Sequence, residues 1–152
     1  MIDWVIEKPL IEAECALHGT DFLVPILMAI RTAEGGGDGK QYGVLSVSAP
    51  TYAEQLHMAA VTVVHRLASY PGNPLTTTPD KQLVVSPNWV AYFASIWSPV
   101  GVANDSTNLN ANWPKNFLAA YNGFIEANRQ AAQGGLKVVS SAPQAVLPPK
   151  AS

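Results

Sequence analysis

Glu34 is the residue of this chain best placed for acid–base chemistry. It closes a mostly apolar run, residues 21–34, and Gly35-Gly36-Gly37-Asp38-Gly39 breaks the chain directly behind it. An apolar helix at its back disfavours the carboxylate and favours the neutral acid. The negative end of the helix dipole pushes the same way. Glycines alongside let a bulky substrate approach closely. A carboxyl still protonated near neutrality and facing an open cleft is what a general acid for glycosidic cleavage requires. A solvent-exposed glutamate in the last turn, beside a C-cap, fits these local residues equally well. Hydrolysis would also need a second carboxylate, to activate water or stabilise charge. Asp38, within Gly-Asp-Gly, is the near candidate, and Asp105, within Asn-Asp-Ser, is the remote one. Either also reads as an ordinary turn residue.

Other chemistries find less support. His57 and His65 lie eight apart on one expected helix, not the four that would share a metal on one face. No acid–histidine spacing suggests a zinc site, so neither a metal nor another cofactor is expected. There is no Gly-x-Ser-x-Gly elbow. The glycine run lacks the Gly-Lys-Ser/Thr of a phosphate loop and follows a helix instead of a strand. Nine basic and eleven acidic residues give a net charge of −2, and the basic ones are scattered. Nucleic-acid binding needs clustered Lys and Arg to displace counterions, so it is not expected. The longest apolar run, residues 22–30, is far shorter than the ~20 residues that span a bilayer. The lone Cys15 excludes an internal disulfide. Met1-Ile2-Asp3-Trp4 carries acid and no Lys or Arg, so no Sec signal peptide is expected.

At 152 residues, with 48% hydrophobic and only 13% charged, the chain reads as one folded domain and not as a disordered one. Turn signals divide it into about five helices. Residues 9–17 form a short amphipathic helix ended by Gly19. Residues 21–34 form a buried central helix with Pro25 in its first turn. Residues 42–48 alternate as a short strand or extended loop. Thr51-Tyr52-Ala53-Glu54 is a capping box that opens a helix to Tyr70. The Thr/Pro-rich stretch to Val85 reads as loop. Ser86-Pro87 opens a helix to Trp97. A polar loop at 98–112 suits hydrogen bonding to a polar ligand. Residues 114–133 form the last helix, ended by Gly134-Gly135. Within it Tyr121-Asn122-Gly123 is an expensive sequence for a helix interior, where Gly loses up to ~1 kcal/mol against Ala.

Three segments, in order, resemble the motifs of the lysozyme-like superfamily, especially its soluble lytic transglycosylase, phage muramidase (endolysin) and glucosaminidase branches. His18-Gly19-Thr20-Asp21 through Ala29-Ile30-Arg31-Thr32-Ala33-Glu34 is similar to the helix that ends in that family's catalytic Glu. Tyr42-Gly43-Val44-Leu45-Ser46-Val47 resembles its Gly-Leu-Met-Gln segment. Leu118-Ala119-Ala120-Tyr121-Asn122-Gly123 is similar to its Ala-Tyr-Asn-Ala-Gly motif. The chain departs from the pattern at Gly35, where the family has Ser, and at Ser46, where it has Gln.

The resemblance implies a mainly α, lysozyme-like fold of about five helices around a buried central one. A short β or extended segment would line the cleft. Residues 1–135 would form the catalytic domain and residues 136–152 a flexible tail. It implies peptidoglycan glycan strands as substrate, with Glu34 protonating the oxygen between N-acetylmuramic acid and N-acetylglucosamine. Tyr121 would orient Glu34 or the sugar. Tyr42, Gly43, Val44, Ser46, Asp105 and Asn122 would bind the substrate, and Trp89, Trp97 or Trp113 could stack on sugar faces. The enzyme would be a monomer, held in a phage host's cytoplasm until released to the periplasm or wall, or carried in the virion. A non-catalytic wall-binding or structural domain on the same scaffold is the alternative, and a helical interaction domain a third reading.

Overall fold

The computed structural model describes residues 1–45, 48–98 and 109–141. These form five α-helices and one two-stranded hairpin: α1 (Trp4–Leu17), α2 (Leu23–Glu34), α3 (Tyr52–Ser69), β1 (Leu75–Thr77), β2 (Leu83–Val85), α4 (Pro87–Trp97) and α5 (Trp113–Ser141). A single 3-10 turn, Leu109–Asn112, leads into α5. The protein is thus mainly helical, as its sequence implies. None of the described helices is long and apolar enough to cross a membrane.

The central helix is α2. Every residue from Leu23 to Arg31 is buried, so α2 meets neighbours on all sides, with α1, α3 and α5 packed around it. A helix apolar all round has no other stable place. Its C-terminus is closed by Gly35, whose N–H donates to the Arg31 carbonyl at 3.0 Å. Gly36 must be glycine for a different reason: a Cβ there would lie 1.9 Å from the Lys40 carbonyl oxygen. The glycine run therefore serves a tight internal turn. Arg31 ties that turn down, donating to the Gly36 carbonyl at 3.0 Å. The same guanidinium makes a two-bond pair with Glu7 of α1, at 2.8 and 3.1 Å, and the Tyr52 hydroxyl donates to Glu7 at 2.9 Å. Burial alone would raise the Glu7 carboxyl, but Arg31 and Tyr52 outweigh it and hold it below its ordinary value.

Local capping follows the sequence where the signals are short-range. Thr51 and Glu54 make a reciprocal capping box at α3, and Ser86 accepts from the Trp89 N–H at 3.0 Å with Pro87 in the first turn of α4. Three expectations are corrected. The first helix starts at Trp4, capped by Asp3, and carries Pro9 inside it instead of at its start. Of the short strand or extended loop expected at 42–48, residues 42–45 and 48 form loop. The strands lie instead in the Thr/Pro-rich stretch, Leu75 opposite Val85 and Thr77 opposite Leu83. What holds them is tertiary: the Val85 N–H donates to the Tyr121 hydroxyl at 3.2 Å, and Arg129 donates to Asp80 at 2.6 Å, both from α5. Finally, α5 continues through Gly134-Gly135 to Ser141. Two glycines late in a long helix lose only about 1 kcal/mol each, not enough to stop a helix already propagating. The flexible tail expected from residue 136 therefore begins with helix, and residues 142–152 lie outside the described chain.

Candidate active site

Only the last turn of α2 reaches the surface, and it delivers Glu34 to the wall of a cleft of about 610 Å³. That volume is in the ~300–1,000 Å³ range of small-molecule sites. Gly43, Val44 and Leu45 form one side. Met58, Thr62 and Arg66 of α3 form another. Phe93, Ile96 and Trp97 of α4, with Ser98 and Asn110, complete it.

Glu34 is held by two indoles. The Nε1–H groups of Trp97, the last residue of α4, and Trp113, the first of α5, each donate to Glu34 Oε2 at 2.8 Å. The indoles are themselves fixed in an aromatic ladder. Trp89 stacks on Phe93 at 5.0 Å and Phe93 on Trp97 at 5.3 Å. Trp113 stacks on Phe117 at 5.3 Å and Phe117 on Tyr121 at 5.7 Å. Burial pushes the Glu34 carboxyl above its ordinary value; the two indole N–H groups pull it back without cancelling the rise.

The other carboxylate oxygen, Oε1, abuts bare backbone. A Cβ on Gly43 would lie 2.3 Å from it, and Gly43 has φ +70°, a conformation that favours glycine. The glycine that opens space at the acid is therefore Gly43, and not one of the run at 35–39.

Gln55 of α3 fixes that loop. It is fully buried, accepts from the Tyr42 and Val44 N–H groups at 3.2 and 3.1 Å, and donates to the Val44 and Ala49 carbonyls at 2.9 and 2.8 Å. Gln55→Leu would leave four backbone groups unpaired, each worth about 1–3 kcal/mol when buried. A loss of about 3 kcal/mol or more is expected in urea unfolding. A loss under about 1 kcal/mol would mean that the loop pairs those groups otherwise.

The residues singled out in the sequence divide clearly. Glu34, Gly43 and Val44 meet in the cleft, joined by Trp97. Asp38 is exposed in its turn and does not line it. Tyr42 is fully buried, its hydroxyl 2.8 Å from that of Tyr52. Tyr121 is also core: its hydroxyl is taken up by Val85, so it neither orients Glu34 nor lines the cleft. Asn122 is exposed on α5, and a Cβ on Gly123 would meet nothing within 4 Å, so neither marks close packing. Trp89 is fully buried and donates to the Arg66 carbonyl at 3.2 Å, which removes it as a sugar platform. Ser46 and Asp105 lie outside the described residues.

Sequence reading missed the joint hold of Trp97 and Trp113 on Glu34, the anchor Gln55, and Arg66. The Arg66 Nε is buried without a hydrogen-bond partner among the described residues, on a side chain that lines the cleft. A glutamine on the apolar face of α3 was the signal for Gln55. The indole pair carries no local signal, because 63 and 79 residues separate its members from Glu34.

Set against protein-family models, curated proteins and solved structures, the chain matches none.

Proposed function

We propose that the protein is a lysozyme-like enzyme that cleaves peptidoglycan glycan strands between N-acetylmuramic acid and N-acetylglucosamine, with Glu34 as general acid. The observation that carries this reading is a single carboxyl, raised by burial and clamped by two indoles, beside a glycine in a cleft large enough for sugars. Protonated Glu34 gives its proton to the glycosidic oxygen as the bond to the anomeric carbon breaks, and an oxocarbenium-like state develops. Trp97 offers an apolar face and Asn110 and Thr62 offer polar groups to the sugar. Arg66 supplies donors for an acetamido oxygen or a carboxylate of the wall polymer.

Glu34 is the one carboxylate among the described residues that line the cleft. With that one carboxylate the lytic transglycosylase route can proceed. The substrate's own C6 hydroxyl attacks the anomeric carbon, Glu34 takes its proton, and a 1,6-anhydro end forms without a second protein carboxylate. Mass spectrometry of digested peptidoglycan separates the routes, because anhydro products are lighter by one water than hydrolysed ones.

The acid must be protonated to act, so the pH dependence has a fixed sign. Glu34 titrates above the ordinary carboxyl value of 4.5. The kcat/KM for glycan release is expected to hold below the raised value and fall as pH rises through it. Stability follows the same direction. A pKa raised on folding contributes stability that is full below 4.5 and is lost as pH rises through the folded value. Wild type should therefore lose stability relative to Glu34→Gln across that interval. A limb that instead rises with pH there would contradict the assignment of Glu34 as acid.

A further inference from the structure

The fold assembles a second cluster that the spacing of histidines along the chain conceals. Glu14 near the end of α1 and His18 at its C-cap are four residues apart and share a face. His57 of α3 meets them from across the helix pair. Both imidazoles address one oxygen: His18 Nε2 lies 2.9 Å and His57 Nδ1 2.8 Å from Glu14 Oε2. The three groups have ligand atoms all within 4.8 Å of one another. We propose that Glu14, His18 and His57 bind one divalent ion of the zinc class and so tie α1 to α3.

The donor set is the argument. Two imidazole nitrogens and one carboxylate suit zinc and its neighbours among the transition metals, and are a poor set for magnesium or calcium. A tetrahedral ion with bonds of ~2.0–2.1 Å needs neighbouring ligand atoms ~3.3 Å apart, and the three ligand atoms here lie 2.8 to at most 4.8 Å from one another. Without an ion, both facing nitrogens must carry hydrogen to bond the same oxygen; with one, both present lone pairs to it. Glu14 is 9% exposed, whereas the His57 side chain is 53% exposed, which leaves a path for the ion and a fourth position for water. Cys15, next along the chain, is not a competing ligand. It is 1% exposed, packed in the apolar core, and stands outside the group of facing ligand atoms. The ion would clamp the helix that carries Gln55 and the Met58 side of the cleft, though the site does not depend on what the cleft does.

The test uses chelator-stripped full-length protein and zinc itself, titrated against a chromophoric indicator, with thermal unfolding measured in parallel. One ion per chain is expected, with a rise in Tm, and cobalt should give the visible absorption of a four-coordinate site. His57→Ala, at an exposed position, should keep its helical circular dichroism, weaken zinc binding by at least about 10-fold and abolish the Tm rise. Glu14→Gln should weaken binding likewise. His65→Ala, at an exposed histidine outside the cluster, should bind as wild type does. No saturable zinc binding, unchanged affinity in His57→Ala, or an equal loss in His65→Ala would each overturn the proposal.

Discussion

Glu34→Gln is expected to slow glycan cleavage by about 10²–10⁴-fold, the usual contribution of a positioned general acid, with the fold intact. Glutamine has the shape of the protonated acid, and its carbonyl oxygen can still accept from the indoles of Trp97 and Trp113, which both meet Oε2. Its amide cannot protonate a leaving oxygen. The variant thus separates the two jobs the geometry gives Glu34. An acid that only anchored two tryptophans would leave a Gln variant as active as wild type. Glu34→Ala would be less informative, because it strips two indole N–H groups of their acceptor at about 1–3 kcal/mol each and confuses stability with chemistry. Circular dichroism and Tm of the Gln variant, measured beside its rate, check both halves.

Gly43→Ala is expected to reduce activity by about 10²-fold, since a displacement near 1 Å at a reacting group has about that effect. The added methyl would stand 2.3 Å from Glu34 Oε1 and 2.5 Å from its carboxyl carbon. One side must yield. The backbone is pinned by Gln55 on both flanking N–H groups and by the Gly43 N–H donating to the Lys40 carbonyl at 3.0 Å. The flexible carboxylate moves instead, out of its place between the indoles. The left-handed φ of +70° adds about 1–2 kcal/mol of destabilisation for a residue with a side chain. Gly37→Ala is the control: a Cβ there meets nothing within 4 Å, and its activity should match wild type. Equal activity of Gly43→Ala and wild type would mean that the position of Glu34 does not matter to the reaction.

The parts of this architecture that were readable from the chain are those governed by neighbours in sequence. The capping box at Thr51, the Ser86-Pro87 start and the apolar run ending in Glu34 are all short-range signals, and the structure contains each of them. Pro9 misled because proline favours a first helical turn, and here the helix begins earlier, at an Asp3 cap. The hairpin was hidden because three-residue strands carry almost no pattern, and tertiary bonds from Tyr121 and Arg129 hold them. The site divides along the same line. Glu34 could be chosen from its own surroundings, whereas its partners Trp97 and Trp113 converge only when α4 and α5 close on α2. Tyr121 shows the converse error: an aromatic in a suggestive motif, in the middle of a helix, turned out to be a core residue with a structural hydrogen bond. The Glu14–His57 pairing spans 43 residues and two helices, so no spacing rule along one helix could have found it.

The most direct test of the central claim is a digest of purified peptidoglycan at mildly acid pH, with soluble products weighed by mass spectrometry and Glu34→Gln as the blank. Wild type is expected to release fragments ending in muramic acid, in the anhydro form, and the blank to release essentially none. Absence of cleaved glycan from the wild-type digest, or fragments appearing at the same rate with the Gln variant, would contradict the account.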